Sequence, residues 1–351
     1  MSATRITCHS VARLKPTVGA GDCVYKVDNG LLHPDDGAVG GAAGLRDAAF
    51  GASPGAPVRV PAGADHRDRW LAAVALGGQG RYAAAATELA RLRADPSTPV
   101  AIVAHAAVTA AAHRRQLGGH GAALADDGLA LRVATAAGPG APDADGTDAA
   151  AARVDALVGL AADNVGLGRP LVAQDLLDSA ESSSRDHPSW RLPVRIGWVR
   201  AELALLRGEP AAACAPAADA VRRARAAGSV RHLVKSLIVH VVATVLAGDV
   251  IAEGAVSELD RLAEECAERG LAPLEWPCRL AAADLILRTG DGANDATTHM
   301  AQQSVGGTTT GAARRRHAAL LTMSVIERRC GAQGRRLIGV SMQPLGFQAV
   351  M

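Results

Sequence analysis

At 351 residues the chain is long enough for two ordinary domains, yet only 2% of it is aromatic, so any core must be built from Ala, Leu and Val at close approach. Good helix formers dominate and β-branched or aromatic strand formers are sparse, which argues against a sheet protein and for an all-α one. The formal net charge is +2, but residues 312–351 carry seven arginines against Glu327, a net of +6 that leaves −4 for residues 1–311.

The six cysteines form no C-x-x-C pair, and a chain of this length needs no disulfide staples, so reduced thiols in a cytoplasmic setting are expected. The first twenty residues lack the apolar segment of a signal peptide. Residues 1–64 hold ten glycines and five prolines without a helical period, the composition of a disordered or loosely attached leader. Asp65 or Asp68 then offers an N-cap for the first helix.

From Trp70 onward, helical segments of roughly 12–16 residues alternate with glycine-containing breaks. Aligned on Gly80, the pattern returns at Gly119, Gly168 and Gly208, and more weakly at Gly248 and Gly290. Seven residues before the first four stand Ala73, Ala112, Ala161 and Ala201. The inward stripes of the second helices read Ala85, Leu89 and Leu92; Leu124, Gly128 and Leu131; Ala173, Leu177 and Ala180; then Ala213, Ala217 and Ala220. A glycine permits the turn and a small residue on each helix permits a close crossing, so helical hairpins are predicted. Residues 138–148 (GPGAPDADGTD) lengthen one step and are expected as a solvated surface loop, with Thr147 or Asp148 capping the next helix. The longest apolar run, Ser236–Gly248, is short for a bilayer span and reads as a helix buried on most sides.

Trp70, Ala73, Gly80, Tyr82, Ala85, Leu89, Leu92 and Pro96, with Trp198, Ala201, Gly208, Ala213 and Ala220, resemble the tetratricopeptide repeat (TPR). The spacings of 39, 49, 40, 40 and 42 residues exceed the family's 34 and look more like the degenerate arrays of large bacterial transcriptional regulators. The resemblance implies a helical-hairpin solenoid of about 5–6 repeats over residues 65–303, while the residues beyond it, 304–351, read by composition as a basic, partly helical and poorly ordered tail. It also implies a concave groove lined by Arg67, Trp70, His113, Arg195, Trp198, Glu202, Lys235, Asp284 and Arg288, holding a peptide or partner protein.

The remaining motifs carry little chemistry. Gly78-x-Gly80-x-x-Ala83 lacks the strand that a dinucleotide fingerprint needs. In DADGTD, Asp148 and Val154 stand where a calcium loop requires glycine and glutamate. Ser341 in GVSMQ lacks the closing glycine of a nucleophile elbow. His113 and His120 read as a surface pair, and Cys266 and Cys278 as small buried hydrophobes. No catalytic set, metal site or cofactor is expected. Arg314, Arg315, Arg316, Arg328 and Arg329 are the candidate contacts for an anionic partner, which makes a regulator with a nucleic-acid-touching tail the alternative to an interaction scaffold.

Overall fold

The computed structural model describes residues 40–138, 140–293 and 302–342. Among them are fourteen α-helices and no strand. α1 (Ala42–Phe50) precedes six hairpins. These pair α2 (His66–Gly78) with α3 (Tyr82–Ala94), α4 (Val100–Gln116) with α5 (His120–Ala136), and α6 (Ala149–Gly166) with α7 (Pro170–Ser184). Next come α8 (Arg191–Arg207) with α9 (Pro210–Ala226), α10 (Val230–Ala247) with α11 (Ala252–Glu268), and α12 (Ala272–Ala293) with α13 (Gln302–Arg328). α14 (Ala332–Met342) follows. Helices pack mainly on their neighbours in sequence, as in an α-solenoid of helical hairpins.

The turns explain the repeat. Gly80, Gly118, Gly168, Gly208 and Gly248 all adopt φ between 71° and 83°, the left-handed region that side chains disfavour. The amide following each reaches back to the carbonyl five residues before it, as in Arg81 to Leu76 (2.8 Å) and Glu209 to Ala204 (2.9 Å). That bond satisfies an orphan carbonyl and stops the first helix. Pro170 and Pro210 then start α7 and α9 at the position where a missing N–H costs nothing. Asp65 and Asp148 cap α2 and α6, accepting from the amides of Asp68 and Ala151.

In the second hairpin the left-handed residue is Gly118, while Gly119 sits at φ −83° as the residue before α5. The glycine spacings are therefore 38, 50, 40 and 40 residues. The inward positions of α5 become Ala123, Asp127, Ala130 and Ala134, all buried, in place of Leu124, Gly128 and Leu131. Asp127 thus occupies the inward place held by Leu89 in α3, Leu177 in α7 and Ala217 in α9. Gly290, expected at a turn, lies within α12.

Both ends depart from expectation because they pack on the array. Within the predicted leader, Leu45, Ala48, Ala49 and Phe50 of α1 are buried against α2, and residues 1–39 lie outside the described residues. At the other end α13 pairs with α12, and Met323, Ile326, Cys330 and Ile338 close a core around Tyr82 of the first hairpin. The Ala83 amide donates to the Arg329 carbonyl (2.9 Å), and the Val230 amide to the Gly51 carbonyl (3.1 Å). The superhelix therefore returns on itself, last hairpin against first. The 138–148 insert is likewise built in: Asp145, Thr147 and Asp148 are buried, and Asp145 binds Arg46 of α1 through two bonds of 2.7 and 2.8 Å.

α10 is long and apolar enough to cross a membrane by length and composition alone. It packs on α8, α9 and α11, with 33% of the stretch buried, less than the burial on most sides expected of it. Cys266, Cys278 and Cys330 are buried thiols, and no disulfide forms among the described residues.

Two glycine substitutions separate local from closing contacts. A Cβ at Gly208 meets open space, so Gly208→Ala is expected to cost only the left-handed strain, about 1–2 kcal/mol. A Cβ at Gly55 collides with the main-chain carbonyl of Arg269, which cannot swing aside. Gly55→Ala should therefore cost more than Gly208→Ala in urea denaturation, and equal costs would refute this account of the closure.

Candidate functional site

The first helices of all six hairpins face one central cavity of about 260 Å³, to which α1 and α5 add Phe50 and His120. Six of the nine predicted groove residues line it: Trp70, His113, Arg195, Trp198, Glu202 and Lys235. Three do not. Arg67 turns to Asp145 of the insert (3.5 Å), and Asp284 pairs with Arg316 on the neighbouring α13 (3.2 Å). Arg288 is exposed outside the lining.

Two matching aromatic units sit in the wall. Trp70 of α2 donates its indole N–H to Thr109 of α4 (2.9 Å), while its ring lies 4.8 Å from His105. Trp198 of α8 donates to Ser236 of α10 (2.8 Å) and stacks on His232 at 5.5 Å. Each hydroxyl donates in turn to its own histidine's carbonyl four residues back, at 2.8 Å for Thr109 and 2.7 Å for Ser236. Burying an indole satisfies its N–H only if the next hairpin supplies a hydroxyl at the right height. His105-x-x-x-Thr109 and His232-x-x-x-Ser236, recurring 35 and 34 residues after their tryptophans, are the sequence signal that reading for metal spacing misses.

Burial holds these histidines neutral. His105 is lowered to about 4 by desolvation against the pull of Asp155, and His113 to about 3 by desolvation and by Arg231. His232 lies well below its ordinary value, through burial and then Arg231, Arg191 and Arg195. His113 and His120 are thus cavity residues, not the surface pair expected. His113 is admitted by Gly77 and His120 by Gly166, at each of which a Cβ would overlap the imidazole.

Charge is paired unevenly. Arg115 of α4 donates a close hydrogen bond to Asp127 and pairs with Asp163 (2.8 Å). Asp127 can enter because its carboxylate fills the space a Cβ at Gly159 would take. Burial, reinforced by Asp163 and opposed by Arg115, keeps the Asp127 carboxyl far above the usual range. Lys235 meets Glu202 at 3.0 Å. Asp155 of α6 binds Arg191 (3.1 Å) and Arg195 (2.5 Å). Burial would raise its pKa, but the two guanidiniums more than offset this and hold it low. Arg191 also donates to the Asp145 carbonyl (2.5 Å) and covers the Phe50 ring at 4.7 Å. Arg195 and Trp198 are therefore framework as well as wall.

Outside the cavity, GGQGRYA is the α2–α3 turn, and Asp148 serves as the helix cap and the partner of His187 (3.0 Å). In the tail Arg315 is tied to Asp260 (2.9 Å) and Arg316 to Asp284, while Arg329 reaches the Gln79 carbonyl (3.4 Å). Arg314 and Arg328 are exposed. Among the described residues no group of three or more His, Cys, Asp or Glu side chains could hold a metal ion. The chain is an all-helical solenoid whose sequence matches no protein-family model and no curated protein.

Proposed function

We propose that the chain is a non-catalytic, TPR-like binding module, cytoplasmic and regulatory or scaffolding in role, that receives a ligand in its central cavity. One observation carries the reading: every hairpin contributes its first helix to the same space, lined with aromatic rings and with cations from different hairpins. Convergent polar groups in a largely apolar concavity are the ordinary form of a ligand site. At about 260 Å³ the space lies near the lower end of the roughly 300–1,000 Å³ usual for small-molecule pockets. That suits a small molecule or the end of a peptide better than an extended strand threaded through the array. The alternative, a regulator whose tail touches nucleic acid, has Arg314 and Arg328 in its favour, but Arg315 and Arg316 are spent on ion pairs within the array.

A photo-crosslinking residue at Ile238, in the wall, should capture the ligand in the source cell. The same residue at Leu171, 75% exposed on the outside, should not. Adducts at Leu171 alone, or at neither position, would sink the cavity reading.

A further inference from the structure

We infer that the cavity's ligand is a small acid with a flat apolar body, and that Arg231 holds its anionic head. The inference rests on the cavity's being the ligand site and goes further by naming the ligand's chemistry. Three guanidiniums, Arg191, Arg195 and Arg231, stand on this wall, while a single carboxylate, Asp155, binds the first two. Among the described residues no carboxylate pairs with Arg231. One Nη donates to the Ala49 carbonyl (3.3 Å), and its Nε is buried without a hydrogen-bond partner.

The local sum is +2. Nothing else nearby cancels it: Lys235 and Glu202 neutralise each other, Arg115 is balanced by Asp163 because burial keeps the Asp127 carboxyl protonated, and His113 and His232 add no negative charge. Burial, with Arg191 and Arg195 adding to it, lowers the Arg231 pKa to about 10, so the group stays charged at neutral pH and the imbalance is real. A buried charge left unpaired destabilises a fold, and such a group is retained where a ligand completes it. A guanidinium fork takes carboxylate or phosphate oxygens in pairs. Trp198, Trp276, Pro273 and Ile238 supply flat apolar wall for the rest of the molecule.

Thermal unfolding and tryptophan fluorescence of the full chain test this with three probes: benzoate, phenyl phosphate and the neutral benzamide. Without ligand, R231Q should melt above the wild type, because it removes an unpaired cation. A hundredfold excess of the fitting anion over its Kd should raise the wild-type midpoint by about 3–5 °C and leave R231Q unmoved. R231K, which keeps the charge and loses the fork, should retain part of the shift. A response to benzoate alone assigns a carboxylate head, and one to phenyl phosphate alone a phosphate head.

R231Q melting below the wild type would make Arg231 a structural donor to Ala49 and overturn the proposal. Benzamide acting equally on wild type and R231Q would overturn the anion while leaving the cavity a ligand site. If none of the three probes moves the midpoint or the fluorescence, both readings fall.

Discussion

Acidification below pH 6 is expected to destabilise the protein along a slope that steepens to about 2.7 kcal/mol per pH unit near pH 5, before ordinary carboxylates titrate. His105 and His113 have folded pKa values of about 4 and 3, and His232 lies well below 6.5, the value all three regain on unfolding. A depressed folded pKa gives stability that is present above the unfolded value and lost as pH falls towards the folded one. Asp127 works in the opposite sense. Its carboxyl is raised by burial, so in the same window the folded state carries a proton there that the unfolded state has shed. Three histidines against one aspartate leave a net uptake of about two protons on unfolding, at about 1.4 kcal/mol per proton per pH unit. Asp145, Asp148 and Asp155, all held below 3.8, add their loss only at still lower pH. Urea denaturation at a series of pH values reads the slope directly. His113→Gln should reduce it by about one proton, and a flat profile between pH 6.5 and 5 would show that the histidines are not held neutral.

Asp155→Asn is expected to cost about 3–5 kcal/mol, because it leaves two buried guanidiniums facing a neutral amide. The carboxylate is 1% exposed, and the Arg191 and Arg195 side chains only 5% and 15%, so solvent offers little relief. Removing this one anion changes the local sum from +2 to +3, which couples the site to Arg231. The double variant D155N/R231Q should therefore be more stable than the two single effects predict, by about 1–3 kcal/mol in a double-mutant cycle. Additive effects would mean that Arg231 does not sense the charge at Asp155.

The hairpin repeat was legible because its determinants are local. A left-handed glycine, an alanine seven residues before it and apolar residues at helical spacing after it suffice to turn the chain back and seat one helix on the next. Gly80, Gly168 and Gly208 were found by that rule, and so were the stripes that follow them. At Gly118 the rule slipped by one residue. The sequence offers two adjacent glycines, and the true inward position is filled by Asp127, which no hydrophobic pattern would select. That aspartate is acceptable only because Arg115 and a bare Gly159 meet it from other helices.

The same limit applies to the candidate site. The tryptophans were visible as repeat landmarks and His105 and His232 leave a trace in the hydroxyl four residues on, whereas Arg191 and Arg231 carry no local sign of facing a cavity. Ring closure, which brings α1 and α13–α14 onto the array, was illegible for the same reason. By itself the sequence determined the helices, their turns and the hairpin as the repeating unit, since these rest on interactions within a few residues. Only the tertiary structure decided which polar groups are buried, how they are paired and where the cavity lies, because the free energy of a buried charge depends on partners tens to hundreds of residues away.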